Sequence, residues 1–201
     1  MQRLLSFYKN ITNVDLFAFL NAVLFLFMCD IVYYDRFVLY RGVANIHEFF
    51  FYAMVIFAII CFFWIKLRRV KINLLTLMAF ELMILIHFSA AFVSIDGKRL
   101  YDFHILGIRY DKYVHLANSY IGFFVANYFF KLNKFPENSF TLFVAILSVL
   151  GVGGIIEIAE FIVTLTVPHN GVGDYVNNMS DLAANLIGSI LAFATYKVVK
   201  K

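Results

Sequence analysis

The chain has 201 residues, of which 63% are apolar and only 15% are charged, whereas an ordinary soluble domain carries about 25% charged residues. Together with a mean hydropathy of +0.82, this composition excludes a disordered chain, a disulfide scaffold and a coiled coil, because none of them could use so much apolar surface. The net charge of +4 comes from short basic clusters between apolar runs, which argues against a nucleic-acid partner.

Apolar runs long enough to cross a membrane recur along the whole chain. A spanning helix needs about 20 apolar residues to cross a hydrocarbon core of roughly 30 Å. Six such windows occur, at about residues 14–34, 48–65, 72–94, 111–130, 140–162 and 180–199. The sequence therefore predicts an all-α, polytopic transmembrane helix bundle with about six spans, which forms one domain over residues 1–201 and has the lipid bilayer as its partner.

The distribution of Lys and Arg predicts how this bundle is oriented. Eleven of these residues fall on the same side of the membrane as the N-terminus, among them Arg3, Lys9 and Lys201, and six fall on the other side. Because cytoplasmic segments carry the excess of basic residues, we expect both termini in the cytoplasm. The segment from Val163 to Met179 has neither Lys nor Arg and is predicted to be an outer loop.

Ionisable side chains of three spans are predicted to meet near the outer leaflet. Asp111 and His115 open the fourth span, Glu157 and Glu160 lie near the outer end of the fifth, and Asp181 opens the sixth. Residues three and four apart share one helix face, so each span can present its polar groups on one stripe. These five residues are the candidate catalytic cluster.

Other polar residues of the same region are secondary candidates for ligand binding. They are Glu81, His87, Asp174, Asn177 and Asn185.

Structural roles could also explain several of these residues. Asp111 and Asp181 could be first-turn acids favoured by the helix dipole, with Ser180 as an N-cap. Glu81 and His87 could pair between helices, and Asp174 and Asn177 fit a solvated loop. The two glutamates are harder to explain in this way, because an unpaired ionisable group in a span costs several kcal/mol.

Three classes of function remain open at this point. Carboxylates with a histidine suit a divalent cation, which could activate water for an enzyme that acts on a lipid-linked substrate. The same groups could relay protons or cations in a transporter. A polar pocket could instead serve a noncatalytic protein that binds an envelope ligand. The sequence leaves open whether the protein is an enzyme and whether a divalent cation is its cofactor.

The order of the motifs in the second half of the chain resembles a known family. Asp111-Lys-x-x-His115 is followed by Glu157-x-x-Glu160 and by a segment that runs from Gly173-Asp174 through Asp181 to Gly188. This order resembles the VanZ-like superfamily of bacterial membrane proteins, and in particular its YjdF-like branch. Asn177 stands where that branch tends to have an acidic residue, and no Trp follows Glu160.

The resemblance implies a multi-pass protein of the bacterial cytoplasmic (inner) membrane with a role in the cell envelope. The founder of the superfamily is linked to glycopeptide resistance, but the family brings no settled biochemical activity. An envelope or lipid-linked ligand is the partner that this setting implies.

Overall fold

A computed structural model describes residues 11–95, 98–166 and 174–200 of the chain. These residues form two compact units, the first within residues 1–77 and the second within residues 78–201. Helices dominate both units, so the predicted all-α membrane helix bundle is confirmed.

The first unit contains two long helical rods joined by a tight turn. The first rod consists of α1 (Asn13–Met28), a π-helical turn (Cys29–Tyr33) and α2 (Tyr34–Arg41). After Gly42, whose φ is +77°, a 3₁₀ turn (Val43–Asn45) leads into α3 (Ile46–Leu67). A positive φ at this turn suits glycine, which has no Cβ to clash with the backbone.

Polar contacts connect the two rods of the first unit at both ends. Thr12 and Asp15 form a capping box at the start of α1, and Asp15 also accepts a hydrogen bond from Trp64 Nε1 at 2.8 Å. Arg68 forms an ion pair with Asp15 at 2.8 Å. At the opposite end, Arg41 pairs with Glu48 at 2.9 Å. The two rods therefore run antiparallel.

The second unit consists of four helices and two short β-hairpins. Its elements are α4 (Leu74–Phe92, which begins in the first unit), β1 (Ser94–Ile95), β2 (Lys98–Arg99), a 3₁₀ turn (Leu100–Asp102), β3 (His104–Ile105), β4 (Ile108–Arg109), α5 (Tyr110–Leu132), α6 (Ser139–Thr166) and α7 (Tyr175–Val199). The strands pair β1 with β2 and β3 with β4, both antiparallel. The sequence predicted only a polar connection here, because two-residue strands leave no measurable periodicity.

Helices α5, α6 and α7 pack around a common apolar core. Phe123, Ala145 and Ala192 are fully buried in it. At the C-terminal ends of α5 and α7, Lys131 and Lys200 both form ion pairs with Glu137. The hydrogen bond from Lys200 holds the pKa of the exposed Glu137 carboxyl below its usual range.

Glycines allow two close helix contacts in this bundle. A Cβ at Gly188 of α7 would collide with the backbone carbonyl of Leu116 on α5, and a Cβ at Gly153 of α6 would lie 2.6 Å from Asn185 Nδ2. Small residues permit such approaches between membrane helices. A Cβ at Gly151 or Gly154 of α6 would meet no described atom within 4 Å, so these two glycines make no such approach to the described residues.

The helices agree broadly with the predicted spans. In the described residues, the helices long and apolar enough to cross a membrane cover 13–39, 43–67, 139–166 and 175–199. Helices α4 and α5 correspond to the third and fourth predicted spans. Their 19 and 23 residues fall within the range of about 17–25 residues for a spanning helix. At roughly 28 Å, α4 is slightly shorter than a hydrocarbon core of roughly 30 Å, and α5, at roughly 34 Å, is longer.

The predicted outer loop from Val163 to Met179 is too long. Helix α6 continues to Thr166, and α7 begins at Tyr175 with Asp174 as its N-cap. Ser180 is therefore not a cap, and its hydroxyl donates to the carbonyl of Val176 within the helix at 2.7 Å. The rest of that loop, residues 167–173, lies outside the described residues, as do Arg3, Lys9 and Lys201.

The orientation can be tested with two single cysteines in a Cys29→Ala, Cys61→Ala background. Leu106 and Lys134 both lie at exposed turn positions with positive φ, one before and one after α5. We expect Leu106→Cys to react with a membrane-impermeant maleimide in spheroplasts and Lys134→Cys to react only after lysis, because basic flanks stay inside. The reverse labelling pattern would overturn the predicted topology.

The close contact between α5 and α7 predicts that adding one methyl group at Gly188 lowers the stability of the protein. Gly188→Ala should lower the unfolding free energy by about 1–3 kcal/mol, because its Cβ meets backbone that cannot move aside. The control is Gly151→Ala, which should leave stability unchanged or raise it slightly, since alanine favours helix. Thermal unfolding in detergent measures both variants, and equal melting temperatures would contradict the close contact.

Candidate functional site

Lys112 lies at the centre of a polar network that joins the N-terminal ends of α5 and α7. Its ammonium lies 2.7 Å from Asp181 Oδ1 and 3.2 Å from Asp111 Oδ2. It also donates to Asn177 Oδ1 at 2.8 Å and to the Asn177 carbonyl at 3.1 Å. Asp111 and Asp181 are only 3% and 2% exposed, so this cation compensates buried negative charge.

Arg109, the last residue of β4, supplies a second cation to the same network. It donates to Asn177 Oδ1 at 2.8 Å and contacts Asp111 at 3.2 Å and Asp102 at 3.3 Å. The β3–β4 hairpin therefore positions a charge at the start of α5. Asn177 receives hydrogen bonds from both cations and donates to Asp181 Oδ2 at 2.9 Å.

His115 lies one turn further along α5, between two carboxylates. Its Nε2 is 3.5 Å from Asp181 Oδ1, and its Nδ1 is 3.8 Å from Glu157 Oε1. One potential ligand atom from each of these three residues lies within 4.8 Å of the other two. We call His115, Glu157 and Asp181 the triad.

Glu157 is the least satisfied member of the triad. It is 3% exposed, and neither of its carboxyl oxygens has a hydrogen-bond partner among the described residues. Its backbone carbonyl accepts a hydrogen bond from Asn178 Nδ2 at 3.2 Å, which connects α6 to α7. A buried carboxylate without a partner is costly, so Glu157 is poised for a ligand.

A cavity of about 330 Å³ adjoins the triad within the second unit. His87, His115 and Glu160 line one end of it, where Glu160 is half-buried. Phe80, Phe129 and other apolar side chains line the remainder. The cavity is therefore mostly apolar with one polar end.

The secondary candidates have different positions. Asn185 accepts a hydrogen bond from Ser119 at 2.6 Å and lines the cavity. His87 shares a hydrogen bond of 2.8 Å with Tyr101 and also lines the cavity. Asp174 caps α7, because its side chain accepts a hydrogen bond from the backbone N–H of Asn177 at 2.8 Å. Glu81 is half-buried on α4, six positions before His87.

Two residues of the network were missed by the sequence analysis. Arg109 was counted only as an indicator of topology, and Lys112 only as such and as part of the Asp111-Lys-x-x-His115 motif. Asn177 was a secondary candidate for ligand binding, and the alternative that placed it in a solvated loop is wrong because it lies in α7. The signal for Lys112 was its place beside Asp111 at the start of a span, where a buried carboxylate needs a cation.

The fold and this network define a polytopic helical membrane protein with a buried histidine and carboxylate cluster. The chain belongs to the DUF2238 family, described as predicted membrane proteins, whose model matches residues 14–201. Comparisons with curated proteins and with solved structures give no significant match. The family description supports the membrane assignment and names no activity.

The central position of Lys112 predicts that its charge stabilises the bundle. Lys112→Met should lower the unfolding free energy by about 3–5 kcal/mol, because it leaves Asp181 buried without its cation and Asp111 with Arg109 alone. The exposed Lys134→Met is the control and should change stability by no more than about 0.5 kcal/mol. Adding Asp181→Asn to Lys112→Met should recover part of the loss in thermal unfolding. A Lys112→Met protein as stable as the control would contradict this role.

Proposed function

We propose that the protein binds an amphiphilic, lipid-linked ligand of the bacterial envelope. The apolar part of the ligand occupies the cavity, and its headgroup lies against the triad. The observation that carries this proposal is the polarity gradient of the cavity, with histidine and carboxylate at one end and aromatic and aliphatic side chains at the other.

The gradient follows the length of α5. His115 and Phe129 both line the cavity and are fourteen residues apart, which corresponds to roughly 21 Å along a helix. Val149 on α6 and Met83 on α4 add further apolar walls. A pocket of this kind, mainly apolar with a few convergent polar groups, is typical of small-molecule sites, and its polarity matches a molecule with a long apolar tail.

Polar atoms near the triad are available to a headgroup. Asn118 lines the cavity, and its side-chain oxygen is buried without a hydrogen-bond partner among the described residues. Behind this lining, Glu157 has two oxygens without a hydrogen-bond partner among the described residues, and His115, which lies against Glu157, lines the cavity. A headgroup with hydroxyl or amide donors would satisfy the Asn118 acceptor, and buried acceptors normally have such partners.

The sequence resemblance supports the cellular setting of this proposal. The three motifs that resemble those of the VanZ-like superfamily and its YjdF-like branch contain Asp111 and Asp181 of the Lys112 network, together with His115 and Glu157 of the triad. A location in the bacterial cytoplasmic membrane, with the triad towards the outer leaflet, gives access to envelope precursors. Membership of that branch, the location and the orientation are part of the proposal.

A metal-dependent hydrolase that acts on the same ligand is the second candidate. It is favoured by the position of His115 between two buried carboxylates, since such a set can hold an ion that polarises a phosphoryl group. Cation-coupled transport, the third class open from the sequence, would instead produce ion flux in proteoliposomes that contain the purified protein.

Cross-linking to a polyprenyl phosphate with a diazirine in its tail tests the proposed ligand. The probe should label residues around Phe129 in the detergent-purified full chain. Gly122→Leu should reduce labelling about tenfold or more, because Gly122 lines the cavity and the new side chain would fill it. Peptide mapping by mass spectrometry measures the labelled positions.

The matched control is Gly151→Leu, which adds the same side chain to α6 where no described atom lies within 4 Å. It should label as the natural protein does. Ser148→Leu is a second way to fill the cavity if Gly122→Leu does not fold. Labelling that is equal in the filled variants and the control would overturn the proposed site.

A further inference from the structure

We propose that the triad of His115, Glu157 and Asp181 binds one divalent cation of the zinc type, which holds the headgroup of the ligand. The second half of this statement rests on the proposed function, whereas the cation site itself stands on the geometry of the triad.

The three side chains supply a coordination set from three helices. Each offers one ligand atom, and the three atoms lie within 4.8 Å of one another. Zinc bonds to His nitrogen and carboxylate oxygen are about 2.0–2.2 Å long, which places ligand atoms about 3.4 Å apart in a tetrahedral site. The 3.5 Å from His115 Nε2 to Asp181 Oδ1 already has this value. Glu157 Oε1 lies 3.8 Å from the other ring nitrogen, Nδ1, so the Glu157 side chain has to turn towards Nε2 to complete the set.

The unpartnered carboxylate of Glu157 is an independent indication of a cation. Both oxygens are buried and accept no hydrogen bond from the described residues, although nearby Asn178 donates to the backbone carbonyl of the same residue. A carboxylate in such a place needs a compensating charge. The neighbouring basic groups do not supply it directly, because Lys112 and Arg109 contact Asp111, Asn177, Asp181 and Asp102 instead.

The charges of the surroundings also match a divalent ion. The region of the triad contains four carboxylates, those of Asp111, Glu157, Glu160 and Asp181, and two basic side chains, Arg109 and Lys112, which pair with Asp111 and Asp181. If all four are ionised and His115 is neutral, two negative charges remain. One divalent cation cancels them in a region where isolated charge is costly.

The mixed ligand set indicates the class of metal. One imidazole with two carboxylates suits zinc and related transition metals, whereas calcium and magnesium prefer oxygen ligands alone. Three protein ligands leave a fourth position open for water or substrate. Because His115 also lines the cavity, that position is within reach of a headgroup, and the metal would offset the repulsion between acidic side chains and a phosphate.

Zinc binding by the full-length protein in detergent tests the site. After incubation with Zn²⁺ alone and removal of excess metal, elemental analysis should find about one zinc per chain, and the melting temperature should rise with Zn²⁺. Glu157→Gln and His115→Gln should lower the affinity for zinc about tenfold or more. The controls are His87→Gln, a histidine of the same cavity outside the triad, and Glu81→Gln, a half-buried carboxylate on the same helix as His87. Both variants should bind zinc normally.

The variants separate a metal site from a structural contact. Glu157→Gln should fold and melt at or above the temperature of the metal-free natural protein, since it removes an uncompensated charge, but zinc should no longer raise its melting temperature. A folded natural protein that retains no zinc would overturn the inference, and so would a Glu157→Gln protein that retains zinc as well as the controls do.

Cross-linking with the diazirine probe distinguishes this inference from the proposed function. If the probe labels residues near Phe129 equally with and without zinc, the ligand site is supported, but the metal does not hold the headgroup. Zinc binding by the triad without any labelling of the cavity would overturn the proposed ligand and leave the metal site in place.

Discussion

The ammonium group of Lys112 is the contact on which the arrangement of the second unit depends. It neutralises Asp181 of α7 and Asp111 of α5 at the same time, and it binds Asn177 through both side chain and backbone. Buried carboxylates near the N-terminal ends of two adjacent helices repel each other, and a cation between them offsets this repulsion. With Asp181 held in this way, His115 one turn away faces the carboxylate at a fixed distance.

The same arrangement explains why polar groups gather at the triad while most of the cavity beside it is apolar. Charge near the start of α5 and α7 is compensated by Lys112 and Arg109, whereas Glu157 on α6 is left with unpartnered oxygens. Further along α5 the side chains change to valine, alanine and phenylalanine. One cavity thus has a polar, ionisable end and an apolar end, and both proposals depend on this combination.

Helical spacing accounts for what the sequence could predict. Runs of apolar residues predicted the helices, and residues three or four apart predicted that His115, Glu157 and Asp181 come together, while their chemical role stays a prediction. The network around Lys112 could not be predicted, since the reach of this side chain to α7 depends on the helix separation that Gly188 permits. The start of α7 at Tyr175 was missed because Asn177 and Asn178 interrupt the apolar pattern in its first turns.

The close contact of Gly188 with Leu116 has a consequence for how the bundle can deform. Backbone touches backbone there, and Leu116 is adjacent to His115, so α5 and α7 behave as one rigid body near the triad. Helix α6 packs through the side chains of Leu142, Ala145 and Ile146 far from the triad, and nearer to it through Gly153 against the Asn185 side chain and a hydrogen bond from Asn178. Glu157 and Glu160 therefore lie on a helix whose contacts near the triad involve side chains, so these two carboxyl groups can shift without breaking the backbone contact between α5 and α7.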